Sequence, residues 1–253
     1  DYYGKSGQDD AQGYEDYNYT AEHGVSWAVA LLKLLCPAGA VLDIGCANGY
    51  LLTKLGPEYA RFGIEANAAM CRIAEAQGVT ILGRDLLAAE LRAAHAGRFD
   101  AITAIAVFEH LRDIRDGFEA ALAMLREEGV LLFEVPLISA RHDNTVWFTS
   151  SLEHVWYPSE TGLRQLVEGA LGCHLVGSEV HIRGYGSNYV GIVVRDAARA
   201  EEIGAIAARV LTCEADAVGL EEQRARMQIR MIHAATTTHA DVGALAAMPP
   251  EQL

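Results

Sequence analysis

The chain has 253 residues, 51% of them hydrophobic and 21% charged, enough to bury a core without disulfide or metal staples. Its 20 basic and 34 acidic side chains leave a formal net charge of −14. This argues against a nucleic-acid partner, because duplex binding rests on Lys and Arg neutralising phosphates.

No apolar run approaches the roughly 18 residues that span a bilayer, and the acidic, aromatic N-terminus is the opposite of a secretory signal. Five widely spaced cysteines without a CxxC pair suit a reduced, cytoplasmic setting. The chain begins at Asp1 and not Met, as expected of a piece trimmed from a longer protein. Residues 1–20 carry five Tyr and no aliphatic period, and they read as an irregular arm.

From Thr20, a predicted cap, a helix runs to about Leu35 and stops at Pro37 and Gly39. A buried strand is expected at 40–44, a helix at 48–55 closed by Gly56-Pro57, a strand at 60–65 and a helix at 67–78. A strand at 79–83, a short helix at 86–95 and a strand at 98–107 follow. The helix predicted over 113–128 places Phe118, Ala121, Leu122 and Leu125 on one face; Gly129 ends it, and 130–135 is a buried strand. Residues 136–158 read as irregular and aromatic, and 159–172 as a helix capped by Ser159. The segments 174–182 and 187–195 can pair as antiparallel strands. Residues 196–235 look helical, divided near Gly219, and are expected either to pack on their own domain or to join two subunits as a homodimer. The remainder, 236–253, reads as a loose tail.

Five strands separated by helices imply crossover connections, hence a parallel, doubly wound α/β sheet covered on both faces. In such sheets a ligand sits beyond the carboxyl ends of the strands. The first strand ends in Asp43-Ile44-Gly45-Cys46-Ala47-Asn48-Gly49, whose glycines permit conformations and close approaches that a Cβ would block. Glu65 lies at the tip of the second strand, where an acid can accept hydrogen bonds from ribose hydroxyls. Asp85 follows the third strand. The turn lacks the G-x-G-x-x-G spacing of dinucleotide binders, and Asp43 would sit badly beside a pyrophosphate but suits a cationic amino group.

With these residues in place, the sequence resembles the class I S-adenosylmethionine-dependent methyltransferases. VLDIGCANGYL matches that family's first motif except that Ala47 replaces the middle glycine, and FGIE matches the second. RFDAITAIAVFEHLRD and LREEGVLLFEVP are similar to the fourth and fifth motifs of the branch containing ubiquinone-biosynthesis-like and sugar methyltransferases. EHVWYPSETGLRQLVEGALG is similar to that branch's later helix, although Cys173 stands where Phe is usual.

The resemblance spans roughly residues 15–195. It implies a seven-stranded sheet with an antiparallel last strand, S-adenosyl-L-methionine as cofactor, Glu65 on the ribose and Asp85 on the adenine amine. Around these, Gly45, Cys46, Ala47, Gly49, Tyr50, Ala66, Leu86 and Ala106 are the expected cofactor neighbours. Tyr14 and Tyr19 belong either to a lid over the methionine end, as in many relatives, or to a tail that makes no contact.

A hydroxyl acceptor must lose a proton as the new bond forms, and His is the usual base near neutral pH. His110, beside Glu109 just beyond the fourth strand, is the leading candidate base, the alternative being a structural, hydrogen-bonded His. His154 and His142 are weaker candidates in the aromatic segment. His142, Asp143 and His154 show neither HxH nor HExxH spacing, so no metal is expected. Trp147, Phe148, Trp156 and Tyr157 can stack on a sugar or aromatic acceptor, or simply seal the sheet edge.

The expected function is therefore methyl transfer to a small-molecule acceptor, with a sugar hydroxyl as first choice. The alternatives are an NAD-dependent oxidoreductase and a non-catalytic cofactor-binding scaffold.

Overall fold

The structure is a computed structural model that describes residues 25–150, 154–182 and 186–211. The Thr20 cap, Tyr14, Tyr19 and the rest of the aromatic arm, Gly219 and the tail lie outside the described residues.

Helix α1 (Ser26–Leu35) leads into β1 (Gly39–Ile44), and a short α2 (Tyr50–Thr53) into β2 (Tyr59–Ile64). Then come α3 (Ala68–Ala76), β3 (Thr80–Gly83), α4 (Ala89–Ala94) and β4 (Phe99–Ile105). A 3₁₀ turn (Phe108–His110) precedes α5 (Ile114–Met124), β5 (Leu125–Leu137) and α6 (Thr145–Ser150). Helix α7 (Glu160–Arg164) widens into a π turn (Gln165–Ala170) before β6 (His174–Ile182), β7 (Gly186–Val194) and α8 (Ala197–Leu211).

The seven strands form one sheet in the order β3-β2-β1-β4-β5-β7-β6. Strands β1 to β5 pair in parallel, while β7 runs antiparallel to both β5 and β6. Strand order reverses beside β1, so the carboxyl ends of β1 and β4 flank the crevice where ligands enter such sheets.

Alternation along each strand sends successive residues to opposite layers. Val41, Ala101, Leu132 and Ile192 join Leu31, Leu32 and Leu52 on one face. Their neighbours Leu42, Ile102, Phe133 and Val193 join Phe118 and Val167 on the other. Ile203 of α8 is fully buried in the first layer, and the Arg199 guanidinium donates to Leu35 O at 2.8 Å. The described part of the C-terminal helical segment thus packs on its own sheet.

Two expected boundaries move. The fifth helix stops at Met124, before Gly129, because Leu125 turns extended and pairs with Phe99. Residues up to Gly129 form a bulge before Val130 pairs with Ala101. The cause lies far along the chain: Arg195 donates to Leu122 O at 2.6 Å and to Arg126 O at 2.8 Å, capping the helix end. The segment expected to be irregular contains α6, whose start is held by Asp143, which accepts from Thr145 N and Thr145 Oγ1.

Candidate functional site

Strand β1 delivers Asp43 into the middle of the sheet, in register with Gly63 of β2 and Thr103 of β4. Thr103 is buried with it and donates its hydroxyl to Asp43 Oδ1 at 2.6 Å. Burial lifts the Asp43 carboxyl to about 7, with the Thr103 bond opposing the rise and the Glu65 charge adding to it.

After Ile44 the chain turns sharply. Gly45 (φ +71°), Ala47 (φ +45°) and Gly49 (φ +80°) all lie in the left-handed region, where a Cβ is costly. A Cβ on Gly45 would come 2.5 Å from Val107 Cγ2, and one on Gly49 2.8 Å from Val79 Cγ2. Both glycines are therefore required by conformation and by space. Ala47, which departs from the glycine pattern, nonetheless holds a left-handed conformation. The turn closes through Gly49 N to Cys46 O at 2.7 Å and Gly45 N to Ile64 O at 2.8 Å. Cys46 is buried, and burial pushes its thiol well above the usual range, so it packs and does not react.

Glu65 grips this turn. Its Oε2 accepts from Ala47 N and its Oε1 from Asn67 N, both at 2.8 Å. Burial still leaves the carboxyl above its ordinary value despite these bonds. A carboxylate offers about four acceptor positions, so these backbone donors leave it capacity for a further hydroxyl. That acceptor capacity fits a donating ribose hydroxyl of an adenosine cofactor. Asn67 also caps α3, accepting from Ala69 N and Met70 N.

Gly45, Cys46, Ala47, Gly49 and Glu65 are thus held by hydrogen bonds at the ends of β1 and β2, with Asp43 beside them on Thr103. Tyr50 opens α2, its ring under Lys54 Nζ at 4.5 Å. Ala66 is tied to β3 through the Arg84 guanidinium, which donates to its carbonyl. Asp85 is exposed beyond β3, where it accepts from Leu87 N at 2.8 Å, and Leu86 beside it is buried. Ala106, exposed at the end of β4, is left-handed (φ +54°) and donates to Glu134 O.

The three histidines separate into two groups. His110 and His154 meet with ring centroids 4.8 Å apart, and Trp147 and Tyr157 surround His154. His142 stacks on His181 of β6 at 3.7 Å, near Glu179. Burial raises Glu179, but hydrogen bonds from Ser139, Ser187 and Arg141 outweigh it and hold the carboxyl at about 2. The aromatic residues divide as well. Trp147 is buried and donates to Ser187 O at 3.0 Å, packing against the start of the interior strand β7, while Phe148 and Trp156 remain exposed.

Sequence reasoning missed Thr103, Asn67 and the pair in which Asn188 donates to buried Glu134 at 2.6 Å. A polar residue inside a buried strand was a visible signal for Thr103, and an Asn before a helical period one for Asn67. Only the tertiary register brings Glu134 to Asn188.

A family model described as a methyltransferase domain matches residues 20–176, more than half of the chain. A search of curated proteins by sequence finds no match. Among solved structures, a chain of the Haloferax volcanii complex between the Trm112 methyltransferase activator and a methyltransferase superposes with a TM-score of 0.59 at 17% identity, covering 74% of this chain and 97% of that one. A methyltransferase of Thermotoga maritima dependent on S-adenosylmethionine gives 0.54 at 17% identity, with 72% and 95% covered. An O-methyltransferase family protein of Burkholderia thailandensis gives 0.58 at 16% identity, with 74% and 60% covered. At such identities the likeness shows the fold, and the family rests on the matched model. With that match over most of its sheet and an adenosine-compatible turn at the head of β1, the chain belongs to the class I S-adenosylmethionine-dependent methyltransferases.

Proposed function

We propose that this enzyme transfers the methyl group to a hydroxyl of a small-molecule acceptor, a sugar being the first candidate, from within a catalytic domain ending near residue 195. The observation that carries the cofactor side is buried Glu65 gripping the left-handed turn Gly45–Gly49 through Ala47 N, with buried Asp43 at the end of β1 just before that turn. When bound, S-adenosylmethionine supplies an electrophilic methyl on a sulfonium, and the acceptor oxygen gains that methyl as the carbon–sulfur bond breaks toward sulfur and a proton is released.

The chain's own residues bind, orient and handle the proton. Glu65 offers its remaining acceptor positions to the ribose, Asp85 reaches toward the adenine edge, and Asp43 faces the cationic methionine end. Cys46, Ala47, Tyr50, Ala66, Leu86 and Ala106 line the path between them. An in-line displacement gains mostly from positioning, which suits a turn fixed by hydrogen bonds on both sides. The acceptor's proton is assigned to the group at the end of β4, where Glu109 and His110 meet His154. Exposed Phe148 and Trp156 offer flat apolar faces to a sugar ring.

The experiment is calorimetric binding of S-adenosylmethionine and its demethylated product, followed by labelled methyl transfer to acceptors grouped by chemical class. Saturable binding with label entering hydroxyl compounds, sugars foremost, supports the reading. Binding without transfer to any hydroxyl compound refutes it.

A further inference from the structure

We propose that Glu109, His110 and His154 form a site for one divalent transition-metal ion of the zinc type. Their ligand atoms all lie within 4.8 Å of one another. Bonds of about 2.1 Å to a tetrahedral ion set neighbouring ligand atoms about 3.4 Å apart, so binding requires a contraction of about 1.4 Å at most. Rotation of the half-buried histidine rings supplies it.

Several features of the fold build this grouping. Glu109 is only 1% exposed, at the head of a 3₁₀ turn whose floor is Phe108 packed on Phe118 at 4.5 Å. Its carbonyl accepts from Val155 N at 2.8 Å and Trp156 N at 3.2 Å. The segment carrying His154 is therefore clamped to the residue carrying the carboxylate, and Trp156 Nε1 adds a second clamp to Leu111 O at 3.0 Å. Trp147 and Tyr157, with ring centroids 5.9 and 5.6 Å from His154, shield that side.

Two imidazole nitrogens and one carboxylate oxygen suit zinc and similar ions, not the oxygen-seeking magnesium or calcium. Three protein ligands leave one position of a tetrahedral ion open, and expansion to five-coordination opens a second. Val107, next in chain to this turn, occupies the space that Gly45 leaves beside it, so the group stands close to the cofactor turn. Its chemical role rests on the methyl-transfer reading and says how the group at the end of β4 handles the proton, as ligands and not as bases: an acceptor hydroxyl oxygen in an open position loses its proton to water more readily, because the ion stabilises the alkoxide. Acceptors with two adjacent oxygens, able to chelate, are then preferred.

The test uses the full chain, stripped with chelator and titrated with cobalt(II) without cofactor, reading visible absorption. One equivalent per chain should bind, with affinity lowered more than about 100-fold in His110→Gln and His154→Gln and unchanged in His142→Gln. No saturable absorption overturns the proposal, as does its persistence in His154→Gln or its loss in His142→Gln. Circular dichroism checks each variant's fold. Should a histidine variant unfold, Glu109→Gln takes its place, and undiminished binding there overturns the site. Cofactor binding measured on the metal-free chain separates failure of this site from failure of the methyl-transfer reading.

Discussion

Affinity for the methyl donor should depend on pH through one buried carboxyl. Asp43 is 5% exposed, and burial lifts it to about 7 against the opposing Thr103 bond. A cationic ligand placed against it favours the ionised form, so binding is coupled to loss of a proton. With half-ionisation near 7, the ionised fraction is about 0.09 at pH 6 and about 0.91 at pH 8, a tenfold difference worth about 1.4 kcal/mol. Calorimetric titration of S-adenosylmethionine should therefore show the dissociation constant falling about tenfold from pH 6 to pH 8. Near pH 6 the measured heat should vary with the buffer's ionisation enthalpy, because a proton is released. Asp43→Asn should bind more weakly at pH 8 and lose most of this slope. A flat affinity in the parent chain, or an equal slope in Asp43→Asn, would refute the assignment of Asp43 to the cationic end.

Thr103→Val removes the donor that favours ionised Asp43 while keeping the side chain's shape. Cofactor affinity at pH 7.5 should drop several-fold, by roughly 1 kcal/mol, and recover at higher pH; a pH-independent loss would count against this account. In Glu65→Gln one backbone N–H, from Ala47 or Asn67, must face an amide NH₂ in place of an acceptor. Binding should weaken by tenfold or more and the melting temperature should fall, as a buried donor without its acceptor costs about 1–3 kcal/mol. Gly49→Ala combines a left-handed backbone with a Cβ 2.8 Å from Val79 Cγ2, so chemical denaturation should report a loss of about 1–3 kcal/mol. Stability has its own pH signature. Asp43 and Glu134 each sit at about 7, above the unfolded range near 4. The native state therefore holds extra protons in between, and stability is greatest below about pH 4 as far as these groups are concerned. It declines as pH rises to about 7 and levels off above. Glu134→Gln, which keeps the Asn188 bond, should raise the melting temperature at pH 8 and little at pH 5.

The sheet was legible because its signals are local. Buried runs such as Ala40–Ile44 and Val130–Val135 announce strands, and the later pair of strands showed its antiparallel partnership through a short glycine-containing link. Glu65 was legible for the same reason, standing at a strand tip. What failed to show depended on contacts distant in sequence. The end of α5 is set by Arg195, 73 residues beyond the carbonyl of Leu122 that it caps. The partner of Asp43 is Thr103, 60 residues away and adjacent only through the β1–β4 register. Glu109 and His154 carry no ligand spacing in sequence, since their meeting depends on the aromatic segment folding back onto the β4 turn. The same folding separates His142 from His154, which the sequence placed in one aromatic segment, and sets His154 against His110 instead.

The buried acids share a physical consequence. Asp43, Glu65 and Glu134 are all held above their ordinary range chiefly by burial, and each stands at or near the carboxyl edge of the sheet. A carboxylate without a cation there weakens the native state, as buried charge does generally. A ligand that brings positive charge to Asp43 and hydroxyl donors to Glu65 relieves that penalty on binding, so ligand affinity and native-state stability are coupled through the same groups. Asp43→Asn should therefore make the unliganded chain more stable at pH 8 while shrinking the further rise in melting temperature on adding S-adenosylmethionine. Gaining both quantities together would separate Asp43 from the cofactor. A gain in one at the expense of the other is what an acid kept for a cationic ligand requires.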